Sequence, residues 1–144
     1  MIRNITDAGI YAVLVGGKED TASSERISGQ VNSALLRNLT GKLSIQVSSE
    51  IIRRASLLLT NDSAPLHIGN AVNTTVFAVF GSTVPAFGFF PYGMEDRVYE
   101  VNGLDCRPCG IHGRTKCPIG TLECMYRIDD QGIAEDIVAL IGKE

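Results

Sequence analysis

Three short apolar runs set the limits on what this chain can fold into. GIYAVLVGG (Gly9–Gly17), LLLT (Leu57–Thr60) and TVFAVFG (Thr75–Gly81) are rich in branched and aliphatic residues and are no longer than strands. Continuous apolar runs of this length are buried on both faces, as the strands of a parallel sheet are. Helical patterns lie between them. Thr21–Leu39 carries Ile27, Val31, Leu35 and Leu39 at every fourth position, with Ser24 as a capping residue. Ser48–Ala55 and Leu66–Val72 read as further helices, and Gly41–Ser44 as a short extended piece. Strands alternating with helices predict an α/β fold, a doubly wound parallel sheet. Past Gly81 the pattern changes. Ser82–Gly93 mixes proline, glycine and aromatics and reads as an ordered loop, Arg97–Val101 as an edge strand, and Gly132–Lys143 as a terminal helix.

Composition narrows the functional class. A chain of 144 residues, 44% of them hydrophobic, builds one domain with one sizeable core and is not disordered. The net charge is −3 and the 13 basic residues are scattered, which argues against a nucleic-acid partner. No apolar run approaches the roughly 20 residues of a membrane-spanning helix. The N-terminus lacks the charged lead and apolar core of a secretory leader, so a cytoplasmic location is expected.

The most informative polar feature is Asn61-Asp62-Ser63, where an apolar strand ends and a helix begins. Ligands of open α/β sheets bind outside the carboxyl ends of the strands. Helix starts also present free N–H groups and a positive dipole end, which attract anions. Ser63 or Asp62 can cap the helix, and Pro65 suits its first turn. His67 lies one turn after Ser63 and returns to the same face. A phosphate here could meet free amides, Ser63 and His67. Asp62 repels a phosphate and suits sugar hydroxyls or an amine instead. Capping alone accounts for Asp62, Ser63 and Pro65, and leaves only His67 over. Gly16-Gly17-Lys18-Glu19-Asp20 follows the first strand and is either a second ligand-facing loop or a solvated turn; it matches neither glycine-rich phosphate-loop pattern.

All four cysteines fall in residues 102–128. Cys106 and Cys109 have zinc-knuckle spacing, and Cys117 and Cys124 could complete a four-thiolate zinc site, with His112 as a substitute ligand. Free thiols and two disulfides are the alternatives. Arg107, Arg114, Lys116 and Arg127 could form a positive rim facing an anionic acceptor or a membrane surface, or a solvated loop.

TNDSAPLHIGNAV followed by TVFAVFGST resembles the signature of the lipopolysaccharide heptosyltransferases, glycosyltransferase family nine. VLVGGKED, NLTGKLS and the C-x-x-C…C…C-M segment extend the resemblance over nearly the whole chain, with Ala64 where the family commonly has glycine. The resemblance implies a transferase with two Rossmann-like domains facing each other, the GT-B arrangement, that moves a heptose from an ADP-activated donor to lipopolysaccharide core. Residues 1–144 would be its C-terminal, donor-binding domain, entered at a helix tail over Met1–Ala8, after the domain's first strand. The catalytic acidic residue and the lipopolysaccharide acceptor would belong to the N-terminal domain. The resemblance further implies that Asp62 sits by the donor sugar. Ser63, Ala64 and Leu66 would offer helix-start contacts to the diphosphate, supported by His67. Leu43 would lie against the base, and Asp20 or Glu19 would reach the ribose. No cofactor is required beyond zinc at the cysteines, if bound. Work at the inner face of the inner membrane, with peripheral membrane contact, is expected. A missing central strand would leave the strands at Ile10–Val15 and Leu57–Thr60 without a shared neighbour, free to close up or to pair with another chain.

Overall fold

The computed structural model describes residues 1–142, in two compact units. The first comprises residues 1–50 and 129–142, the second residues 51–128. The element order is α1 (Ile2–Asp7), β1 (Ala12–Leu14), α2 (Thr21–Val31), β2 (Leu36–Asn38), α3 (Ile45–Arg54), β3 (Leu58–Asn61), α4 (Ala64–Ala71), β4 (Val76–Phe80), β5 (Arg97–Glu100), α5 (Glu123–Tyr126) and α6 (Asp130–Ile141). The α/β class with parallel strands is as expected, but the strands form two sheets.

In the first unit β1 and β2 pair in parallel, Ala12 opposite Leu36 and Leu14 opposite Asn38. The ladder runs on past the strands, where the Gly41 N–H donates to the Gly16 carbonyl at 3.0 Å. Helix α2 packs on β2, and α1 packs on α6, whose Ile133, Ala134 and Ile137 are buried. The expected helix over Thr21–Leu39 ends early. Asn32 adopts a left-handed φ of 47° and caps α2, and the chain then turns into β2. Asparagine tolerates that conformation well, which makes it a natural stop. Leu36 is therefore buried on a strand, and Gly41–Ser44 forms a bend instead of an extended piece. Ser24 lies inside α2, where its hydroxyl donates to the Asp20 carbonyl at 2.6 Å. The terminal helix α6 begins at Asp130 with Asp129 as its cap, whose Oδ1 accepts the Gly132 N–H at 2.9 Å; Lys143 of the expected helix lies outside the described residues.

In the second unit β3, β4 and β5 form a parallel sheet with β4 central. Val76, Phe77, Ala78 and Phe80 of β4 are fully buried, which is why this run reads as continuously apolar. β5 is an edge strand, as expected, and Tyr99 and Arg97 lie against the Phe77 ring. Asp96 ties the two strand starts together: its carboxylate accepts the Val76 N–H at 2.7 Å and the Gly93 N–H at 2.6 Å. Helix α4 lies on β3 and β4. Its Leu66 enters the core formed with Ile52, Leu58, Val76, Ala78 and Phe80. Among the described residues β1 and β3 belong to separate sheets, each at an edge of its own.

Two helical glycines test how tightly each helix packs. A Cβ on Gly69 would lie 2.7 Å from Val76 Cγ2 and 2.9 Å from Leu58 Cδ2, whereas one on Gly29 would meet nothing within 4 Å. Alanine is the better helix former by about 1 kcal/mol. Gly29→Ala is expected to raise stability by about 0.5–1 kcal/mol. Gly69→Ala should lower it by about 1–3 kcal/mol, because overpacking outweighs propensity. Urea unfolding of the two variants checks both signs.

Candidate functional site

Asn61, the last residue of β3, stands opposite Val79 of β4. The chain then needs only Asp62 and Ser63 to enter α4, and the Asp62 N–H donates to the Val79 carbonyl at 3.2 Å. Ser63 occupies the capping position in an extended conformation, but its side chain makes no capping bond. Its hydroxyl turns back to the Asn61 carbonyl at 3.3 Å and the Thr60 hydroxyl at 3.4 Å. The cap expected of Ser63 or Asp62 is therefore not made, and among the described residues no side chain is hydrogen-bonded to the first-turn amides of α4. They sit at the carboxyl edge of the sheet with the positive end of the helix dipole.

The other expected residues of this stretch fall into two groups. Asp62 is half-buried, Ala64 and His67 are exposed, and no hydrogen bond ties the Asp62 or His67 side chain to another described residue. Leu66 differs: its side chain is fully buried and its N–H donates to the Ser63 carbonyl at 3.0 Å. It holds the helix down and offers no contact at the site. Phe89, which sequence reasoning left in a generic loop, stands edge-on to His67 with ring centroids 5.8 Å apart. The FGFFPYG stretch carried only composition as a signal.

The first unit has its own strand-end cluster. Asp20 Oδ2 accepts the Gly17 N–H at 3.0 Å, and a Cβ on Gly16 would stand 2.8 Å from that oxygen. A Cβ on Gly17 would collide with the Glu19 carboxylate. At both glycines an added side chain would meet an acidic side chain that folds back over the turn. Leu43 is half-buried in the bend after β2. Beside this turn lies Thr40, which sequence reasoning missed. It is buried, its methyl is 3.3 Å from the Cβ position of Gly16, and its hydroxyl has no hydrogen-bond partner. Asp20, Glu19, Thr40 and Leu43 thus gather at the ends of β1 and β2, while Asp62, Ser63 and His67 gather at the end of β3.

The cysteine segment is organised by Arg107, which is not part of a positive rim. Its side chain is 5% exposed. The guanidinium donates to the carbonyls of Val101 (2.5 Å), Thr83 (2.7 Å) and Phe80 (3.2 Å) and pairs with Glu100 at 3.0 Å. One side chain thereby satisfies the carboxyl ends of β4 and β5 and the loop beyond, while its own Nε has no partner. Arg114 donates to the Cys109 carbonyl, and Arg127 pairs with Glu123.

All four cysteines are free, and among the described residues no three His, Cys, Asp or Glu side chains are grouped to hold a metal ion. The arrangement as it stands does not fit a four-thiolate zinc site. The thiols are not equivalent. The Leu122 N–H reaches Cys117 Sγ at 3.5 Å and, with the amides of Ile119, Gly120 and Thr121, holds this thiol below its ordinary pKa. Burial pushes the Cys124 thiol up, and the charge of Cys109 adds to the effect while Arg107 opposes it. Among the described residues no helix is long and apolar enough to cross a membrane.

The class defined here is a parallel α/β protein that turns a helix start and several polar side chains toward the carboxyl ends of its strands, the ligand-binding edge of such sheets. The chain belongs to glycosyltransferase family 9 (heptosyltransferase), whose model matches residues 1–117. It is 28% identical over 90 residues to lipopolysaccharide heptosyltransferase 2 of Escherichia coli (strain K12), covering 60% of this chain and 26% of that one. Its fold matches the solved structure of E. coli ADP-heptose LPS heptosyltransferase II, with a TM-score of 0.70 and 22% identity over 98% of this chain and 39% of that one. The family 9 glycosyltransferase of Veillonella parvula matches at a TM-score of 0.75 and 20% identity, over 99% and 41%. The chain therefore spans about a quarter of that curated relative and about two fifths of the solved chains.

Two measurements check this description. Arg107→Ala leaves three carbonyls and Glu100 without their donor and is expected to cost about 3–5 kcal/mol in denaturant unfolding. Arg107→Lys should recover only part of that, since an ammonium cannot span the fork. In iodoacetamide labelling followed by peptide mass spectrometry, Cys117 should react at lower pH than Cys124, because only the thiolate attacks.

Proposed function

We propose that this chain is the nucleotide-sugar-binding part of a glycosyltransferase that uses an ADP-activated heptose and acts in lipopolysaccharide core assembly. The observation that carries the reading is the uncapped start of α4 at the carboxyl edge of β3, flanked by Asp62 and His67, in a chain of this family. The E. coli relatives are named as heptosyltransferases acting on lipopolysaccharide, one of them with ADP-heptose.

The roles follow from chemistry. The diphosphate lies at the first turn of α4, where the amides of Ser63 and Ala64 and the helix dipole face it. Pro65 has no N–H to give, and the Leu66 amide is already used, so Ser63 and Ala64 bear this contact. His67 adds a donor one turn on. Asp62 accepts hydrogen bonds from the sugar hydroxyls. Asp20 or Glu19 takes the ribose and Leu43 the base, with the unpartnered Thr40 hydroxyl beside them. As the glycosidic bond to the donor breaks, negative charge grows on the departing diphosphate, and donors already aimed at it lower the barrier. These groups position and stabilise. None is set to take a proton, so that step and the lipopolysaccharide acceptor are assigned to the part of the longer relatives that this chain does not cover. Action at the cytoplasmic face of the inner membrane, where such an acceptor is built, completes the proposal.

Calorimetric titration with ADP, UDP and GDP tests it. ADP should bind selectively, and Asp62→Ala and His67→Ala should each weaken a heptose-bearing ADP donor about tenfold or more, roughly 1.4 kcal/mol. ADP alone should feel His67→Ala but not Asp62→Ala. Equal binding of all three nucleotides, or binding indifferent to His67, would refute the assignment.

A further inference from the structure

His67 stands at the strand-end site with no polar group to hold it. It is exposed on α4, and its side chain makes no hydrogen bond to another described residue. An imidazole on an open helix face exchanges rapidly between side-chain rotamers. Ordering it only when a ligand arrives lowers affinity. What restrains the ring is Phe89, whose centroid lies 5.8 Å away with the two planes at 81°. That is the edge-to-face arrangement aromatic rings favour. Phenylalanine has no nitrogen or oxygen in its side chain. It restrains the imidazole without supplying a conventional hydrogen-bond partner that a ligand would have to displace.

Phe89 is itself held on both sides. Before it, Pro85–Phe87 forms one turn of 3₁₀ helix, and the Gly88 N–H closes that turn by donating to the Pro85 carbonyl at 2.9 Å. Gly88 ends it with a φ of 90°, a left-handed conformation that suits glycine. After it, the Asn70 side-chain amide donates to the Phe90 carbonyl at 3.3 Å. Asn70 follows His67 by three residues on α4, so the two side chains leave the helix from neighbouring positions on one face. The same helix face thus carries the imidazole and the group that fastens the loop restraining it. Phe89 keeps 46% of its surface exposed, so replacing it opens no cavity in the core.

We infer, resting on the assignment of His67 to the diphosphate, that Phe89 is a positioning residue for that contact. It holds the imidazole in the orientation from which His67 donates, and Asn70 fixes the loop that brings Phe89 there. Phe89 acts through His67 and not on the ligand. Because the imidazole is ordered before the nucleotide arrives, less side-chain freedom is lost on binding.

The test is a double-mutant cycle on the full chain, read by calorimetric titration with ADP: Phe89→Ala, His67→Ala and the two combined. Phe89→Leu keeps apolar bulk without a ring, and Phe89→Tyr keeps the ring. Phe89→Ala and Phe89→Leu should each weaken ADP about two- to tenfold, the range expected for ordering one side chain. Phe89→Tyr should recover most of that loss. In the His67→Ala background Phe89→Ala should have no further effect, since two residues that act through one contact are not additive. NMR of the ligand-free chain supplies a second readout. The His67 χ1 couplings should report one dominant rotamer, and Phe89→Leu should average them. Losses that add in the double variant, or a Phe89→Leu chain that binds ADP as before, would overturn the inference and leave the nucleotide assignment standing. A His67 that already averages between rotamers in the unsubstituted chain overturns it without any ligand. ADP binding indifferent to His67→Ala removes the nucleotide assignment itself, and this inference with it.

Discussion

The second unit depends on how closely α4 approaches the sheet beneath it. Gly69 puts bare backbone against Val76 and Leu58, and Leu66 fills the space alongside with no exposure at all. Any side chain at position 69 would push the helix outward. Since only Asp62 and Ser63 join β3 to α4, the helix start would move with it. Apolar packing on the underside of α4 therefore sets where its free amides stand at the sheet edge. A non-directional force fixes a directional one, because a close-packed interior gives little under strain.

The carboxyl edge of β4 and β5 is organised by a single buried charge. The carbonyls of Phe80, Thr83 and Val101 all point to Arg107. A buried carbonyl without a donor is costly, and a buried guanidinium without acceptors more so. Each makes the other tolerable. The consequence reaches beyond stability: the cysteine segment is fastened to the sheet at Arg107, between Cys106 and Cys109.

In the first unit the acidic residues of the Gly16–Asp20 turn do structural work that sequence patterns do not reveal. Asp20 completes the turn by accepting the Gly17 N–H. A ribose hydroxyl binding there would share that carboxylate with the backbone. The hydroxyl of Thr40, enclosed beside Gly16, is a buried side-chain polar atom that the fold leaves without a partner among the described residues. It is the natural complement to a polar ligand atom, since a buried hydroxyl gains from any partner it is offered.

Much of the fold was legible because local physics and tertiary demand agree. The apolar runs at Leu57–Thr60 and Thr75–Gly81 became β3 and β4 almost residue for residue, and a four-residue-spaced apolar face became α6. Agreement failed between Asn32 and Ser44. There Leu35 and Leu39 continue a helical spacing, but Asn32 turns left-handed and parallel pairing with β1 claims Leu36 for a strand. Periodicity cannot see a partner strand. The site divided in the same way. That Asn61-Asp62-Ser63 ends a strand and opens a helix is written in the sequence, as apolar run, polar knot and early proline. Whether Ser63 caps the helix, whether Leu66 faces ligand or core, and whether Arg107 is a surface charge or a buried clamp were decided only by tertiary structure. Each of those depends on which distant groups come within hydrogen-bonding or van der Waals range, and no local pattern contains that distance.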